Sequence, residues 1–170
     1  MDHTLVTFDE AGFRLVPVYK RVWFMKGEKP HGVFFWSNKK TNIFGALIGG
    51  KKLYYRWHES LNTLTFLGFL KGLLQHLPKG KYVFILDNAR YHKSSTILKY
   101  LQGLNEDGIK VEFLPPYSPE LNPTETCWKA IRHNVTNSTY FQSIEKMQMK
   151  IEGFLSGYNF NINSSNYLCR

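Results

Sequence analysis

The chain has 170 residues, of which 43% are hydrophobic and 16% aromatic, and its formal net charge is +9. This length and composition predict one folded domain with a substantial core and exclude a disordered protein. No apolar run approaches the roughly 18 residues of a membrane span, and no signal-peptide pattern opens the sequence. Its two cysteines follow no metal-ligand or redox spacing, so we expect a cytoplasmic protein without a membrane partner. The positive charge favours polyanions, nucleic acid first among them.

The first half of the chain is predicted to form strands and one helix. Apolar and β-branched runs indicate strands at residues 5–8, 14–24, 42–48 and 53–57. Asp9 and Glu10 follow the first run, and a turn is expected directly after them at residues 11–12, with a second turn at residues 26–31. Apolar residues at helical spacing then predict a helix that begins at Asn62 or Thr63 and stops at residues 78–80.

The second half alternates between strands and helices. Residues 82–86 form a continuous apolar run, typical of a strand covered on both faces, and Asp87 follows it directly. A short helix through residue 104 and a strand at residues 109–114 come next. A proline-rich loop then leads into a helix, and residues 143–155 form a last amphipathic helix. This order of elements predicts a mixed sheet flanked by helices.

Three acids, Asp9, Asp87 and Glu125, each have an ordinary structural interpretation. The first fits a turn, the second an Asx-turn at a strand end, and Glu125 a capping box that reaches back to the amide of the N-cap Asn122. Considered together, they indicate something else. If the strands before Asp9 and Asp87 are parallel neighbours, both carboxylates lie at the carboxyl edge of the sheet, where open α/β sheets build their sites. The helix after the proline loop would bring Glu125 across that edge.

Carboxylate oxygens without histidine or cysteine partners suit Mg²⁺ or Mn²⁺. Two such ions, roughly 3.5–4 Å apart, would stabilise the attacking and leaving oxygens of a phosphoryl displacement. Lys129 and Arg132 follow Glu125 by one and two helical turns and would contact a DNA backbone, or else form a solvated charged edge. Lys39 and Lys40, before the third predicted strand, have the same two interpretations.

Three segments that carry these acids, residues 8–10, 86–92 and 117–128, resemble the catalytic core of DDE transposases in the Tc/mariner superfamily. The bacterial and archaeal insertion-sequence branch is the most similar. The likeness runs through essentially the whole chain in order, and its most specific part is Ser-Pro-Glu-Leu-Asn-Pro-x-Glu-x-x-Trp at residues 118–128. It implies an α/β, ribonuclease H-like fold with a mixed five-stranded sheet, three antiparallel strands followed by parallel ones.

The resemblance also implies which residues act. Asp9, Asp87 and Glu125 would be the catalytic triad and would hold two Mg²⁺ or Mn²⁺ ions, in preference to the neighbouring acids Glu10 and Glu120. His92 also matches the family motif and would touch the scissile phosphate or steady Asp87, unless it is a local hydrogen-bonding residue. We expect Asn88, like His92, to support the metal ligands rather than to bind the metal itself.

The activity that the resemblance implies is cleavage of double-stranded DNA at transposon ends, followed by attack of the freed 3′-hydroxyl on target DNA. A homo-oligomer assembled on DNA, associated with the nucleoid, would follow from pairing two ends. Two alternatives stay open: a ribonuclease H-fold nuclease on RNA–DNA hybrid or branched DNA, and an inactive remnant that binds DNA without cutting it.

One departure from the family lies at the front of the chain. Relatives carry helix-turn-helix modules before the catalytic core, whereas here the first predicted strand begins within a few residues of Met1. We therefore expect a catalytic domain at residues 1–157, a poorly ordered polar tail at residues 158–170, and no N-terminal helix-turn-helix domain in this chain. A separate helix-turn-helix polypeptide would then read the DNA ends; otherwise the chain is a shortened core or a decaying copy.

Overall fold

A five-stranded mixed sheet forms the centre of the protein, which a computed structural model describes over residues 3–15, 25–27, 37–105, 108–137 and 139–168. In chain order the strands are β1 Thr4–Arg14, β2 Lys40–Ile48, β3 Lys52–His58, β4 Tyr82–Leu86 and β5 Ile109–Phe113. Across the sheet their order is β3-β2-β1-β4-β5. The first three strands are antiparallel neighbours, whereas β4 and β5 run parallel to β1. The predicted mixed sheet is thus confirmed.

Helices pack against both faces of this sheet. They are α1 Thr63–His76, α2 Ser95–Leu104, α3 Thr124–Ile131, α4 Ile144–Gly157 and the short α5 Ser165–Leu168. A 3₁₀ turn at Pro119–Leu121 precedes α3, and a π-helical turn at Arg132–Thr136 continues it. The α1-side core includes Phe8, Phe44, Phe66, Leu70 and Phe84. The α3-side core includes Phe13, Ile43, Trp128, Ile131 and Ile151.

The length of β1 decides where Asp9 lies. The sequence predicts that this strand ends before Asp9 and that residues 11–12 turn, and both predictions are wrong because β1 continues to Arg14. Its second half stays extended since it pairs with β2 throughout and buries Phe13 in the α3-side core. Pairing with β4, however, stops at Thr7. Asp9 therefore lies inside a strand, but just beyond the last residue paired with β4.

Most other predicted elements are observed close to their expected positions. The helix expected from residue 62 onward begins with Asn62 as its N-cap, whose side chain accepts hydrogen bonds from the Leu64 and Thr65 amides. The predicted strand at residues 14–24 and the turn at residues 26–31 fall largely outside the described residues. Within the described ranges, no helix combines the length and apolarity that crossing a bilayer requires.

The segment after α4 returns to the sheet. The Ile162 amide donates to the Gly50 carbonyl at 2.9 Å, and Phe160 is buried in the α3-side core. Farther along, the hydroxyl groups of Tyr167 and Thr126 lie 3.0 Å apart, which joins α5 to α3. The division at residue 157 into a domain and a tail stays a prediction, but these contacts bring the segment against the helix that carries Glu125.

Candidate active site

Asp9 is held by a tryptophan that packs on the same face of the sheet. Its side chain is only 9% exposed, and its Oδ2 accepts a hydrogen bond from the Trp128 indole nitrogen at 2.8 Å. Gly45 pairs with Asp9 on β2, and a Cβ there would lie 2.5 Å from the Trp128 ring. A glycine is therefore needed at this position so that the indole can reach across β2 to the carboxylate.

The start of α3 is tied to β1 at the point where the pairing of β1 with β4 ends. The Asn122 side-chain amide donates to the Phe8 carbonyl at 2.8 Å, and the Thr124 hydroxyl donates to the Thr7 carbonyl at the same distance. The Thr7 and Thr124 hydroxyl groups also lie 2.7 Å apart. Since Asn122 and Thr124 are almost fully buried, these bonds replace ladder bonds and fix the helix that carries Glu125.

The predicted capping box around Glu125 is not formed. Asn122 Oδ1 does accept a hydrogen bond from the Thr124 backbone amide at 3.1 Å, as a capping side chain should. The backbone amide of Asn122, however, donates to the Pro119 carbonyl. That amide is therefore already satisfied, and the Glu125 carboxylate is not needed to cap it. Instead, Glu125 lines the cavity described below.

Asp87 follows β4 and is half-buried, with its carboxylate fixed by two local hydrogen bonds. Its Oδ1 accepts from the Ala89 amide at 2.9 Å and lies 2.6 Å from Nδ1 of the buried His92. Burial raises the pKa of Asp87, but the bonds to His92 and Ala89 outweigh it, and the net pKa lies below the ordinary value. Asp87 is thus held in one orientation and kept ionised.

Asn88 joins the ends of the two parallel strands. Its side-chain amide donates to the Leu114 carbonyl at 2.6 Å, while the Leu114 amide donates to the Leu86 carbonyl at 2.8 Å. These bonds anchor the beginning of the proline-rich loop beside Asp87. Asn88 therefore positions the wall of the site as well as lining it.

The three predicted acids meet at one cavity. Asp9, Asp87 and Glu125 all line a space of about 400 Å³, whose other walls come from Asn88, Asn122 and residues 114–119. Tertiary structure thus brings together carboxylates from β1, from the loop after β4 and from α3. The cavity opens at the carboxyl edge of β4, as expected for a site in a sheet with parallel strands.

The carboxylates in this region repel one another. Burial, and next the neighbouring Glu125 and Glu10, raise the pKa of Asp9 to about 8. Burial also raises the pKa of Glu10, with the nearby Tyr91 hydroxyl opposing it and Asp87 adding to it. Such a concentration of buried negative charge is stabilised by a bound cation.

A second group of possible ligands shares Asp87. Glu10, Asp87 and His92 each offer one ligand atom, and these atoms lie within 4.8 Å of one another. Glu10 Oε2 and His92 Nε2 are buried and, in the described part of the chain, have no hydrogen-bond partner. The sequence does not indicate this group, because the family resemblance favours Asp9 over Glu10. The side chains of these two residues point to opposite faces of β1.

The predicted basic residues lie in different surroundings. Lys129 is exposed on α3, whereas Arg132 is half-buried with its guanidinium 5.5 Å from the centre of the Phe13 ring. Lys39 and Lys40 line a separate groove beside α4, with Trp57 as a neighbour. The structure therefore does not bring these four basic residues together at the acid-lined cavity.

Comparison with known proteins places the chain in a family. Residues 4–148 match the family model described as DDE superfamily endonuclease. The chain is 26% identical over 156 residues to the "Insertion element IS630 uncharacterized 39 kDa protein" of Shigella sonnei, covering 91% of this chain and 45% of that protein. It is 36% identical over 63 residues to the protein y4pE/y4sA of Sinorhizobium fredii (strain NBRC 101917 / NGR234), covering 37% of this chain and 42% of that protein. The chain thus spans less than half the length of these relatives.

Solved structures show the same fold. The Mos1 strand transfer complex matches with a TM-score of 0.73 and 22% identity, over 97% of this chain and 49% of that one. The catalytic domain of Mos1 mariner transposase matches with a TM-score of 0.64 and 19% identity, over 97% and 74%. The predicted ribonuclease H-like fold is confirmed, as is the resemblance to DDE transposases. The chain belongs to the DDE superfamily endonuclease family.

Proposed function

We propose that this chain is the catalytic domain of a transposase, and that Asp9, Asp87 and Glu125 are the metal ligands with which it cleaves DNA and transfers strands. The observation that carries the proposal is the convergence of these three carboxylates on one cavity. They come from three separate elements. Asp9 is bonded to Trp128, Asp87 is bonded to His92, and Glu125 stands on a helix whose start is bonded to β1.

The residues present suit divalent cations, of which we propose two. All three proposed ligands are hard oxygen donors, which Mg²⁺ and Mn²⁺ prefer. Burial, and next the neighbouring Glu125 and Glu10, raise the pKa of Asp9, and a bound cation would oppose both effects. Structures of Mos1 paired-end complexes have been determined with Mn and with Mg, which supports the same ions here. The chemistry that two bound ions would supply is stabilisation of the attacking and leaving oxygens of the phosphodiester.

The protein itself supplies orientation. Trp128 fixes Asp9, and His92 with the Ala89 amide fixes Asp87 in its ionised form. Rigid ligands of this kind hold the reacting phosphate in line and need little reorganisation during the reaction. His92 therefore acts through Asp87, and Asn88 acts by positioning the wall of the cavity.

Partners of the site are proposed from its charge and its family. A net charge of +9 favours double-stranded DNA, with Lys129 closest in sequence to the site, and Arg132, Lys39 and Lys40 on neighbouring surfaces. We further propose a homo-oligomer on DNA at the nucleoid, with end recognition supplied by a helix-turn-helix polypeptide. The Mos1 complexes that share this fold include a pre-cleavage transpososome and a paired-end complex with the left transposon end.

A cleavage assay with matched variants tests the proposal. Asp9→Asn, Asp87→Asn and Glu125→Gln should each lower Mn²⁺-dependent cleavage of transposon-end DNA by at least about 100-fold, because each removes a carboxylate proposed to hold the metal ions. Glu120→Gln is the control, since Glu120 is exposed in the same loop but does not line the cavity. Circular dichroism would verify that every variant folds.

Three results would count against the proposal. Unchanged cleavage in both aspartate variants would exclude these residues as ligands. Faster cleavage of RNA–DNA hybrid or branched DNA than of transposon ends would favour the alternative nuclease. Absence of both cleavage and Mn²⁺ binding in the folded protein would favour the inactive remnant.

A further inference from the structure

Tyr117 has a combination of properties that the proposed metal chemistry does not use. Among the described residues it is the non-glycine residue with a positive φ, at 57°. Its side chain is also fully exposed, at 101% of the reference value. Left-handed backbone is unfavourable for a residue with a Cβ, and such strain is retained mainly at functional positions. Neither the conformation nor the exposure is explained by packing.

The surrounding loop holds this conformation in place. Pro115, Pro116 and Pro119 restrict the backbone on both sides of Tyr117, and the Ser118 hydroxyl donates to the Pro116 carbonyl at 3.2 Å. The loop is anchored at its start by the bond between Asn88 and the Leu114 carbonyl. It is anchored at its end by the bond from the Asn122 side chain to a carbonyl of β1. The phenol ring is therefore presented to solvent by a stiff support, which lowers the entropy that binding would cost.

The position of the ring indicates its ligand. Tyr117 lines the same cavity as Asp9, Asp87 and Glu125. A phosphodiester at those acids carries its bases on the adjoining sugars, so a base next to the reacting phosphate comes to the rim of the cavity. Exposed aromatic rings of proteins that bind single-stranded nucleic acid bind nucleobases by stacking, and the net charge of +9 favours a polyanionic strand as the partner of this protein.

We propose that Tyr117 is a stacking platform for an unpaired nucleobase next to the phosphate that reacts at the site of the three acids. The inference rests on the proposed function and adds to it a requirement on the substrate. A base inside a duplex already has neighbours on both faces, so the nucleotide must be splayed out, frayed or single-stranded to stack on Tyr117. Stacking tolerates every base, since each has a π-face. The site thus selects an opened DNA end by shape rather than by sequence.

Fluorescence of 2-aminopurine tests this directly, because the base is quenched when it stacks. The probes are a single-stranded oligonucleotide that carries 2-aminopurine and the same oligonucleotide in a full duplex, both titrated with the folded chain in Ca²⁺. The wild-type protein and Tyr117→Phe should quench the single-stranded probe, and Tyr117→Ala should bind it on the order of tenfold more weakly with little quenching. Tyr140→Ala is the control, since Tyr140 is an exposed tyrosine that does not line the cavity.

The outcomes separate this inference from the proposed function. Quenching that persists in Asp87→Asn and disappears in Tyr117→Ala supports the platform whether or not cleavage is detected. Equal quenching by wild type and Tyr117→Ala, or stronger quenching of the duplex probe, would overturn it even in an active enzyme. A change of self-association in Tyr117→Ala with unaltered quenching would assign the ring to a protein interface and would also overturn it.

Discussion

The Trp128 indole donates to Asp9 Oδ2 at 2.8 Å although the two residues are 119 positions apart. Trp128 is almost fully buried in the α3-side core, so one side chain belongs both to the packing of the domain and to the orientation of a proposed metal ligand. Stability and chemistry are therefore coupled at this contact. The tryptophan that closes the family-like motif has a physical reason to be there.

A double-mutant cycle tests how Gly45 and Trp128 depend on each other. Gly45→Ala should destabilise the protein by about 1–3 kcal/mol, because the new Cβ overlaps the indole ring. In Trp128→Phe, whose smaller ring does not extend as far, the same substitution should cost much less. Urea denaturation of the four proteins gives the coupling energy. Additive effects would show that the close approach does not determine the identity of residue 45.

The raised pKa of Asp9 predicts that stability and metal binding depend on pH. Between its ordinary value of 3.8 and the folded value of about 8, the native state holds a proton that the unfolded chain has lost. The contribution of Asp9 to stability therefore falls as the pH rises through this window. Relative to wild type, the melting temperature of Asp9→Asn should increase between about pH 5 and pH 8.

Mn²⁺ should reverse this loss in the wild-type protein. It binds the ionised carboxylates, so its stabilising effect should be larger at about pH 8 than at about pH 5 and should be weak in Asp9→Asn. Differential scanning fluorimetry with and without the ion measures both effects. A stabilisation of wild type by Mn²⁺ that is independent of pH would contradict the prediction.

His92 should act on the metal through Asp87. His92→Phe keeps a ring against Phe66, whose centre lies 4.2 Å from that of His92, but removes the bond to the Asp87 carboxylate. Metal affinity or activity should fall by about 10–100-fold, which is the usual effect of replacing a residue that hydrogen-bonds to a metal ligand. Since the bond to His92 lowers the pKa of Asp87, the acidic limb of the pH–activity profile should also move to higher pH.

His76→Phe serves as the control for His92, since His76 is an exposed histidine on α1 that does not line the cavity. Calorimetric titration with Mn²⁺ would separate weaker metal binding from lost chemistry. If His92→Phe lowered activity without altering metal affinity or the pH profile, its role would be confined to local packing.

The two glycines of the β2–β3 turn offer a matched test of the C-terminal segment. Both have positive φ, but a Cβ at Gly50 would overlap the Ile162 carbonyl oxygen, whereas at Gly49 it would meet only a methyl group of Thr4 at 3.6 Å. Gly50→Ala should therefore lower the melting temperature more than Gly49→Ala. Limited proteolysis should also cut the segment after Gly157 faster in Gly50→Ala.

Truncation after Gly157 provides the comparison for these glycine variants. In the shortened chain both substitutions should have similar effects, because the Ile162 carbonyl is gone and only the backbone conformation remains unfavourable. A persistent difference between Gly49→Ala and Gly50→Ala would show that contacts other than those of Ile162 determine the requirement at residue 50.

Local sequence pattern predicted the elements that depend on local chemistry. The continuous apolar run before Asp87, the helical spacing after Asn62 and the proline loop before Glu125 all correspond to observed elements. The prediction that Glu125 completes a capping box failed because a competing local bond, from the Asn122 amide to the Pro119 carbonyl, is formed instead. Periodicity could not distinguish these two partners.

By itself, the sequence predicted the fold class, the family and three acids that line one cavity, since period-two and helical patterns, turn chemistry and a specific motif all occur along the chain. Only the tertiary structure decided that β1 continues past Asp9, that Trp128 bonds to this carboxylate, and that Glu10 lies near His92. Each of these depends on strand register and on which face of the sheet a side chain occupies. Register is set by contacts between residues far apart in the chain, and no local pattern contains them.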